Sequence, residues 1–255
     1  MKLTVLIPAY NERQTIASCL ARVVSAIPSV PKEIIVIDDC SRDGTREWLE
    51  RNLQGLKGTN CAVVVDEQGD LALVPGPASE VEMRPLFHAR NRGKGGALQT
   101  GMRAATGDVV IIQDADLEYD PNDWEPMLDL IVHRKVADVV YGSRFYGRPH
   151  RALYFHHYLA NRLISFIFNA LYDQTLSDIE VCYKMFTRDV LDSLNITAND
   201  FGFEVQFSAQ VARARRWRIY ELGIAYYGRT YLEGKKINWR DGVKALWYLF
   251  KYRFE

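Results

Sequence analysis

Short apolar runs alternate along this chain with stretches of helical periodicity. Leu3 to Ile7, Glu33 to Ile37 and the run that opens VVIIQDAD at Val109 are apolar, rich in β-branched residues and closed by polar ones. That is the pattern of buried strands. Asp138 to Tyr141 and Arg218 to Tyr227 predict two later strands. Between the runs, Thr15 to Ile27 sets Ile16, Leu20, Val23, Val24 and Ile27 on one helical face, and Pro28 and Pro31 end it. A second helix carries Trp48 and Leu49, and a third Ala97, Leu98, Met102 and Ala105. Pro121 to Val132 suits a fourth, and Glu204 and Gln206 lie in a later one. Strand–helix alternation predicts an α/β fold with parallel strands and right-handed crossovers. Cys61 to Val65 and Leu71 to Val74 predict two strands around a turn at Glu67–Asp70, followed by loop-like Pro75 to Glu82. Residues 61–85 are therefore expected to be a surface insertion in a domain covering 1–232.

Two helical segments stand apart. In Tyr158 to Tyr172, Asn161, Ser165 and Asn169 form a single polar stripe and apolar residues cover the rest. At about 22 Å such a helix is too short for a bilayer core of about 30 Å. It is either buried or lies in a membrane interface. Trp239 to Phe254 sets Trp239, Val243, Leu246, Trp247, Phe250 and Phe254 on one face, with Arg240, Lys244, Lys251 and Arg253 around it. Residues 233–255 thus form a basic amphipathic C-terminal segment, either interfacial or docked on the domain with a solvated basic face.

The run from Val109 ends in Asp114 and Asp116, one residue apart. Carboxylates just past the C-terminal end of a buried strand sit where open α/β sheets bind ligands. Both can face one site, and hard oxygen donors suit Mg²⁺ or Mn²⁺. In isolation the pair also reads as a strand end with solvated acids. Asn91-Arg92-Gly93-Lys94-Gly95-Gly96 opens a helix. It reads equally as a phosphate-holding loop or as a tight turn with close helix packing.

Net charge is zero over 255 residues, so nucleic acid is not an expected partner. The charge is uneven: residues 211–255 hold 11 Lys/Arg against 4 Asp/Glu, which suits an anionic surface. Cys19, Cys40, Cys61 and Cys182 are far apart, without a zinc or disulfide spacing, which fits a reducing compartment. Pro8 breaks the N-terminal apolar run, so no signal peptide is expected, and the protein is expected in the cytoplasm.

PAYNE at 8–12, IDDCSRDGT at 37–45, NRGKGGAL at 91–98 and DADLE at 114–118 stand in the order and spacing of glycosyltransferase family 2, which the chain resembles. YGSRF at 141–145, DIEVCYK at 178–184, ELGIAYYGR at 221–229 and EGKKI at 233–237 resemble its dolichol- or polyprenyl-phosphate mannose or glucose synthase branch. The resemblance implies a GT-A (Rossmann-like) α/β fold: a mixed, mainly parallel sheet flanked by helices in a single domain. It implies a GDP- or UDP-sugar donor, Mg²⁺ or Mn²⁺, and inversion at the anomeric carbon. By the same resemblance Pro8, Ala9, Tyr10 and Glu12 line the nucleoside pocket, Asp39 contacts base or ribose, and Asp114, Ala115 and Asp116 meet the diphosphate. Asp114 and Asp116 take the metal, and Glu118 is a further ligand candidate, though it stands where synthases often have Gln. Arg144, Arg229 and Lys236 match phosphate contacts of donor or acceptor, and Asp116, Arg144 and Arg229 carry the catalytic step. Cys182-Tyr183-Lys184 replaces the more usual Gly-Phe-Arg.

The expected reaction moves a hexose from the nucleotide sugar to a polyprenyl or dolichyl phosphate, with the protein peripheral on the cytoplasmic membrane face. A soluble transferase acting on a hydroxyl is the alternative. It would need a base, for which Asp178 or Glu180 are candidates. A sugar nucleotidyltransferase or a non-catalytic nucleotide-sugar-binding protein are further readings.

Overall fold

The computed structural model describes residues 1–146, 149–152, 154–230 and 239–255, with the backbone alone for Ser79 and residues 239–241. Strand β1 (Leu3–Ala9), helix α1 (Ile16–Ser25), β2 (Lys32–Asp38) and α2 (Thr45–Leu53) follow in strict alternation. A hairpin, β3 (Lys57–Val65) and β4 (Leu71–Phe87), precedes α3 (Gly93–Ala104) and β5 (Val109–Ile112). Next come α4 (Trp124–Leu128), β6 (Val139–Ser143), α5 (Phe155–Tyr172), β7 (Lys184–Thr187), α6 (Arg188–Ser193), α7 (Gly202–Arg213), β8 (Ile219–Gly223) and α8 (Trp239–Phe254).

The strands form one eight-stranded sheet in the order β3-β4-β2-β1-β5-β7-β6-β8. β1 pairs in parallel with β2 and with β5, β2 with β4, and β6 with β8. β3 is antiparallel to β4, and β7 is antiparallel to both its neighbours. The sheet is therefore mixed and mainly parallel at its centre, where β1, β2 and β5 are buried on both faces. All three end at the same edge, which puts the loops after Ala9, Asp38 and Ile112 side by side.

Three elements depart from the expected pattern. Pro75 to Glu82 is not a loop: β4 is continuous from Leu71 to Phe87, pairing with β3 along one part and with β2 along another. Cys61 faces both Pro75 and Ala78, a bulge that accommodates the Pro75-Gly76-Pro77 breaker. Gly76 lies so close to Ala62 that a Cβ there would come within 2.4 Å of the alanine methyl. The helix expected over Pro121 to Val132 is broken into a 3₁₀ turn, α4 and a π turn. Pro126 within α4 has no N–H to donate, which favours such irregular pieces. The late strand stops at Gly223, because the chain leaves β6 and takes new partners. Ala225 N–H donates to Asp123 Oδ2 (2.7 Å), Tyr226 N–H to Pro149 O (3.0 Å) and Tyr227 N–H to Glu118 O (2.8 Å). Those bonds carry residues 224–230 across the strand-end loops.

Helix α5 presents its polar stripe to the protein, where it holds the following loop. Ser165 Oγ accepts from Ile179 N–H (3.3 Å), and Asn169 exchanges hydrogen bonds with Leu176 O (2.8 Å) and Leu176 N–H (3.1 Å). Ile164 and Phe168 are buried, whereas Phe155, Leu159, Leu163 and Phe166 are exposed. Helix α8 docks on α5 and α7 through Ala245, Leu249 and Tyr252. Val243, Trp247, Phe250 and Phe254, on the face left as either interfacial or docked, are exposed. Among the described residues no helix is long and apolar enough to cross a membrane, and all four cysteines are free.

Candidate active site

The loops after β1 and β2 are laced together by their own polar residues. Asn11 N–H donates to Ser41 Oγ (2.9 Å) and Asn11 Oδ1 accepts from Arg42 N–H (2.8 Å). Glu12 N–H donates to Thr45 Oγ1 (3.0 Å), and Arg13 N–H to Asp43 Oδ2 (3.0 Å). Asn11 takes φ 55°, a left-handed turn that asparagine tolerates and that aims Glu12 back over the strand ends. Pro8 and Ala9 lie opposite Ile37 and Asp38 in register, beneath an exposed Tyr10.

Asp39 is not an open carboxylate. Its Oδ1 accepts from Arg92 N–H (2.8 Å) and its Oδ2 from Gly93 N–H (2.7 Å), and His88 Nδ1 lies 2.7 Å from Oδ1. Asp39 thus braces the start of α3, and an open cavity of about 660 Å³ lined by Phe87–Arg92 and Asn199 lies beside these partners. The Gly-rich turn is explained by close packing. Gly93 has φ +80°, and a Cβ on Gly93 or Gly95 would come within 2.4 or 2.2 Å of the carbonyl oxygens of Asn199 and Ala198. That contact turns Lys94 inward, where Nζ meets Asp114 Oδ1 at 2.9 Å.

Beyond β5, Gln113 is buried and Ala115 packs in the core, so Asp114 and Asp116 diverge to two different cations. Lys94 takes Asp114. Arg229 Nη2 meets Asp116 Oδ2 at 2.7 Å, its Nε donates to Glu118 Oε1 at 3.1 Å, and Nη1 lies 3.6 Å from Glu12 Oε2. Glu118 is committed on both oxygens: Oε1 also accepts from Arg229 N–H (3.1 Å) and Oε2 from the Tyr226 hydroxyl (2.8 Å). One guanidinium therefore gathers three carboxylates from two loops. Burial, then the negative charges of Asp114 and Glu118, push the Asp116 carboxyl up to about 7 against the pull of Arg229.

Arg144 is the second fixed cation. Its Nε and Nη2 grip the two oxygens of fully buried Asp178, each at 2.7 Å, in the planar fork geometry that suits arginine. Glu221 accepts from Ser177 and Asp178 N–H (2.9 and 3.2 Å), which holds Asp178 in place. The Arg144 guanidinium also lies 5.4 Å from the ring centre of Tyr226, whose hydroxyl is on Glu118. Glu12, Asp116, Glu118, Arg144 and Arg229 are thus linked through Arg229 and Tyr226, and Asp114, two residues from Asp116, pairs with Lys94. Lys236 lies outside the described residues. Sequence reasoning missed Tyr226, Glu204 and the pairing of Lys94 with Asp114. Lys94 carried a signal in its place in the Gly-rich turn and Tyr226 in the ELGIAYYGR motif, whereas Glu204 carried none.

A hard divalent cation fits this donor set. Asp114 and Asp116 offer hard carboxylate oxygens from one short loop, and burial, then the charges of Asp114 and Glu118, raises the Asp116 carboxyl. Among the described residues no three His, Cys, Asp or Glu side chains converge closely enough to hold a metal by themselves. Asp114 and Asp116 would be partial ligands, and Mg²⁺ commonly binds through one or two carboxylates with phosphate and water completing the shell.

The sequence profile of "Glycosyl transferase family 2" matches residues 4–73 and 77–194. The chain is 26% identical over 246 residues to an undecaprenyl-phosphate mannosyltransferase of Micrococcus luteus, covering 92% of this chain and 87% of that protein. It is 26% identical over 258 residues to the low-salt glycan biosynthesis hexosyltransferase Agl6 of Haloferax volcanii, covering 97% of this chain but 55% of that one. A dolichol-phosphate mannosyltransferase of Pyrococcus furiosus is also 26% identical, over 57% of this chain and 34% of its own length. The crystal structure of glucosyl-3-phosphoglycerate synthase from Mycobacterium tuberculosis in complex with Mn²⁺, uridine diphosphate and phosphoglyceric acid superposes with a TM-score of 0.69 at 17% identity. The match covers 99% of this chain and 78% of that one. The chain belongs to glycosyl transferase family 2 and has the GT-A fold.

Proposed function

We propose that this protein transfers a hexose from a nucleoside-diphosphate sugar to a polyprenyl phosphate at a membrane surface, with inversion at the anomeric carbon. The observation that carries the reading is the joined array of Asp114, Asp116 and Glu118 with Arg229 and Arg144 at the strand ends. Displacement at the sugar carbon leaves a diphosphate that gains negative charge. Fixed cations already aimed at that position lower the barrier because they need not reorganise. Arg229 is held by Asp116, Glu118 and Glu12, and in this reading it meets the leaving diphosphate. Arg144 is locked by Asp178, and in this reading it meets a second phosphate, that of the acceptor. Asp114 and Asp116 would hold Mg²⁺ or Mn²⁺, which when bound supplies further positive charge to the leaving group. An acceptor phosphate is already an anion, so it requires orientation and neutralisation rather than a base.

The relatives named for undecaprenyl- and dolichol-phosphate mannosyl transfer support this acceptor class, and so do the exposed aromatic residues of α5 and α8. Lys244, Lys251 and Arg253 lie on the same C-terminal helix, the composition of a segment that rests in an anionic membrane interface. Residues 233–255 serve as that anchor in this reading. The test is a screen of GDP- and UDP-sugars with purified protein, Mg²⁺ or Mn²⁺ and a short polyprenyl phosphate. A sugar phospholipid is expected, and its absence with every donor contradicts the proposal.

One observation favours a hydroxyl acceptor instead. Asp178 is spent on Arg144, but Glu180 Oε1 is buried without a hydrogen-bond partner, and burial pushes its carboxyl up to about 7, a suitable value for a general base. Transfer to a soluble glycan hydroxyl that is lost in Glu180→Gln would establish that reading.

A further inference from the structure

Lys94 has a second carboxylate that the transfer reaction does not itself call for. Glu204, on α7, is 2% exposed, and its Oε1 lies 3.3 Å from Lys94 Nζ. That oxygen is buried and forms no hydrogen bond of good geometry, so it is an acceptor short of a donor. The other oxygen is fixed: Oε2 pairs with Lys184, a fully buried ammonium that also donates to the Val181 carbonyl. Glu204 is held further by its own backbone, since Ser208 Oγ donates to its carbonyl at 2.8 Å and receives the Tyr141 hydroxyl at 3.1 Å. The charges therefore run Asp114, Lys94, Glu204, Lys184, alternating in sign from the strand-end acids into the core.

Glu204 Oε1 is close enough to Lys94 for an ion pair but receives no hydrogen bond from it, so a small shift of the ammonium would complete one. Lys94 now sits nearer Asp114, at 2.9 and 3.2 Å from its two oxygens, and farther from Glu204. A divalent cation cannot share Asp114 with an ammonium in that position without repulsion. Resting on the metal-dependent donor site proposed above, we propose that Glu204 is a positioning residue that gives Lys94 a second seat. Lys94 leaves Asp114 for Glu204 when the divalent cation takes Asp114, and its charge stays beside the diphosphate instead of being driven into solvent. Glu204 thereby couples its buried pair with Lys184 to loading of the donor site.

Mn²⁺ binding, read by electron paramagnetic resonance with and without UDP or GDP, tests this in wild type, Glu204→Gln, Lys94→Met and the double variant. Glu204→Gln leaves Lys94 only Asp114, so Mn²⁺ affinity is expected to fall about tenfold. Lys94→Met clears Asp114 and is expected to bind Mn²⁺ at least as tightly as wild type. In the Lys94→Met background Glu204→Gln is expected to have no further effect, a non-additivity that a purely structural glutamate would not produce. Because Glu204→Gln also deprives Lys184 of its counter-charge, the pair Glu204→Gln with Lys184→Met is measured alongside, with circular dichroism melting to verify folding. It is expected to show the same tenfold loss. Equal losses with and without Lys94, or no loss in either folded Glu204 variant, overturn the inference while leaving the donor site standing. Absence of Mn²⁺ binding in wild type, even with either nucleotide, overturns the metal-dependent site and this inference together.

Discussion

The acid-bearing strand ends and the outer faces of α5 and α8 satisfy their polar and apolar groups in opposite ways. At the strand ends nearly every functional side chain already has an internal partner. Asp114 has Lys94, Asp116 and Glu118 have Arg229, Arg144 has Asp178, and Asp39 braces α3. On α5 and α8 the side chains of Ser165, Asn169 and Tyr248 hydrogen-bond to the protein, while Phe155, Phe166, Trp247 and Phe254 face outward. A preorganised charged site keeps its geometry before substrate arrives. An apolar surface with no internal partner needs an external one. The proposed function puts the chemistry in the first region and the membrane contact in the second, and substitutions should separate them.

The largest effect is expected at the acids. Asp116→Ala should lower kcat by about 10³-fold, through loss of a carboxylate proposed to hold the cation that meets the leaving group. Liposome binding should be unchanged, as measured by steady-state turnover beside co-sedimentation. Turnover near the wild-type level would remove Asp116 from the site. Arg144→Lys should cost about 10²-fold, since an ammonium cannot reproduce the two-point grip on Asp178. The loss should fall on the acceptor, raising its KM or lowering kcat at saturating donor while donor KM stays put. A change in donor KM alone would place Arg144 on the wrong substrate.

The converse substitution is Trp247→Ser with Phe250→Ser. Both residues are exposed, so melting should be unaffected while affinity for anionic vesicles carrying polyprenyl phosphate falls about tenfold. Unchanged co-sedimentation would strip α8 of the membrane role.

The smallest effect is on stability. Glu180 is raised to about 7, by burial first and then by the charge of Glu204, from an ordinary value of 4.5. The folded state therefore holds a proton that the unfolded state has lost between those values. The stability this lends is full below about 4.5 and is gone once pH has risen through about 7. Glu180→Gln mimics the protonated form. It should melt about 3 °C above wild type at pH 8 and close to wild type at pH 5. A gain of equal size at both pH values would rule out titration as its cause.

Much of the acid site was legible because its residues lie in short contiguous motifs at strand ends. The apolar run into Asp114 and Asp116, and the polar loops after β1 and β2, announce both the strands and the site. What was hidden depends on distant residues. Asp178 reaches Arg144 from 34 positions away and reads in sequence as a candidate base rather than a clamp. Glu204 and Lys184 lie on separate elements, and neither looks unusual until both are seen buried. Pro75-Gly76-Pro77 reads as a loop because local breaker residues dominate the pattern, whereas pairing to β3 on both sides of a bulge at Cys61 carries the strand through. For α5 and α8 the amphipathic pattern was plain, but periodicity cannot tell which face turns inward. Docking of Leu249 and Tyr252 decides it.

The central claim is that the acceptor presents a phosphate to Arg144 from a membrane. Its most direct test compares one lipid in two forms, polyprenyl phosphate and the corresponding polyprenol, in the same vesicles with the same nucleotide sugar and Mn²⁺. Transfer to the phosphate with none detectable to the alcohol is the predicted result. Equal transfer to both, or transfer to the alcohol alone, would contradict it.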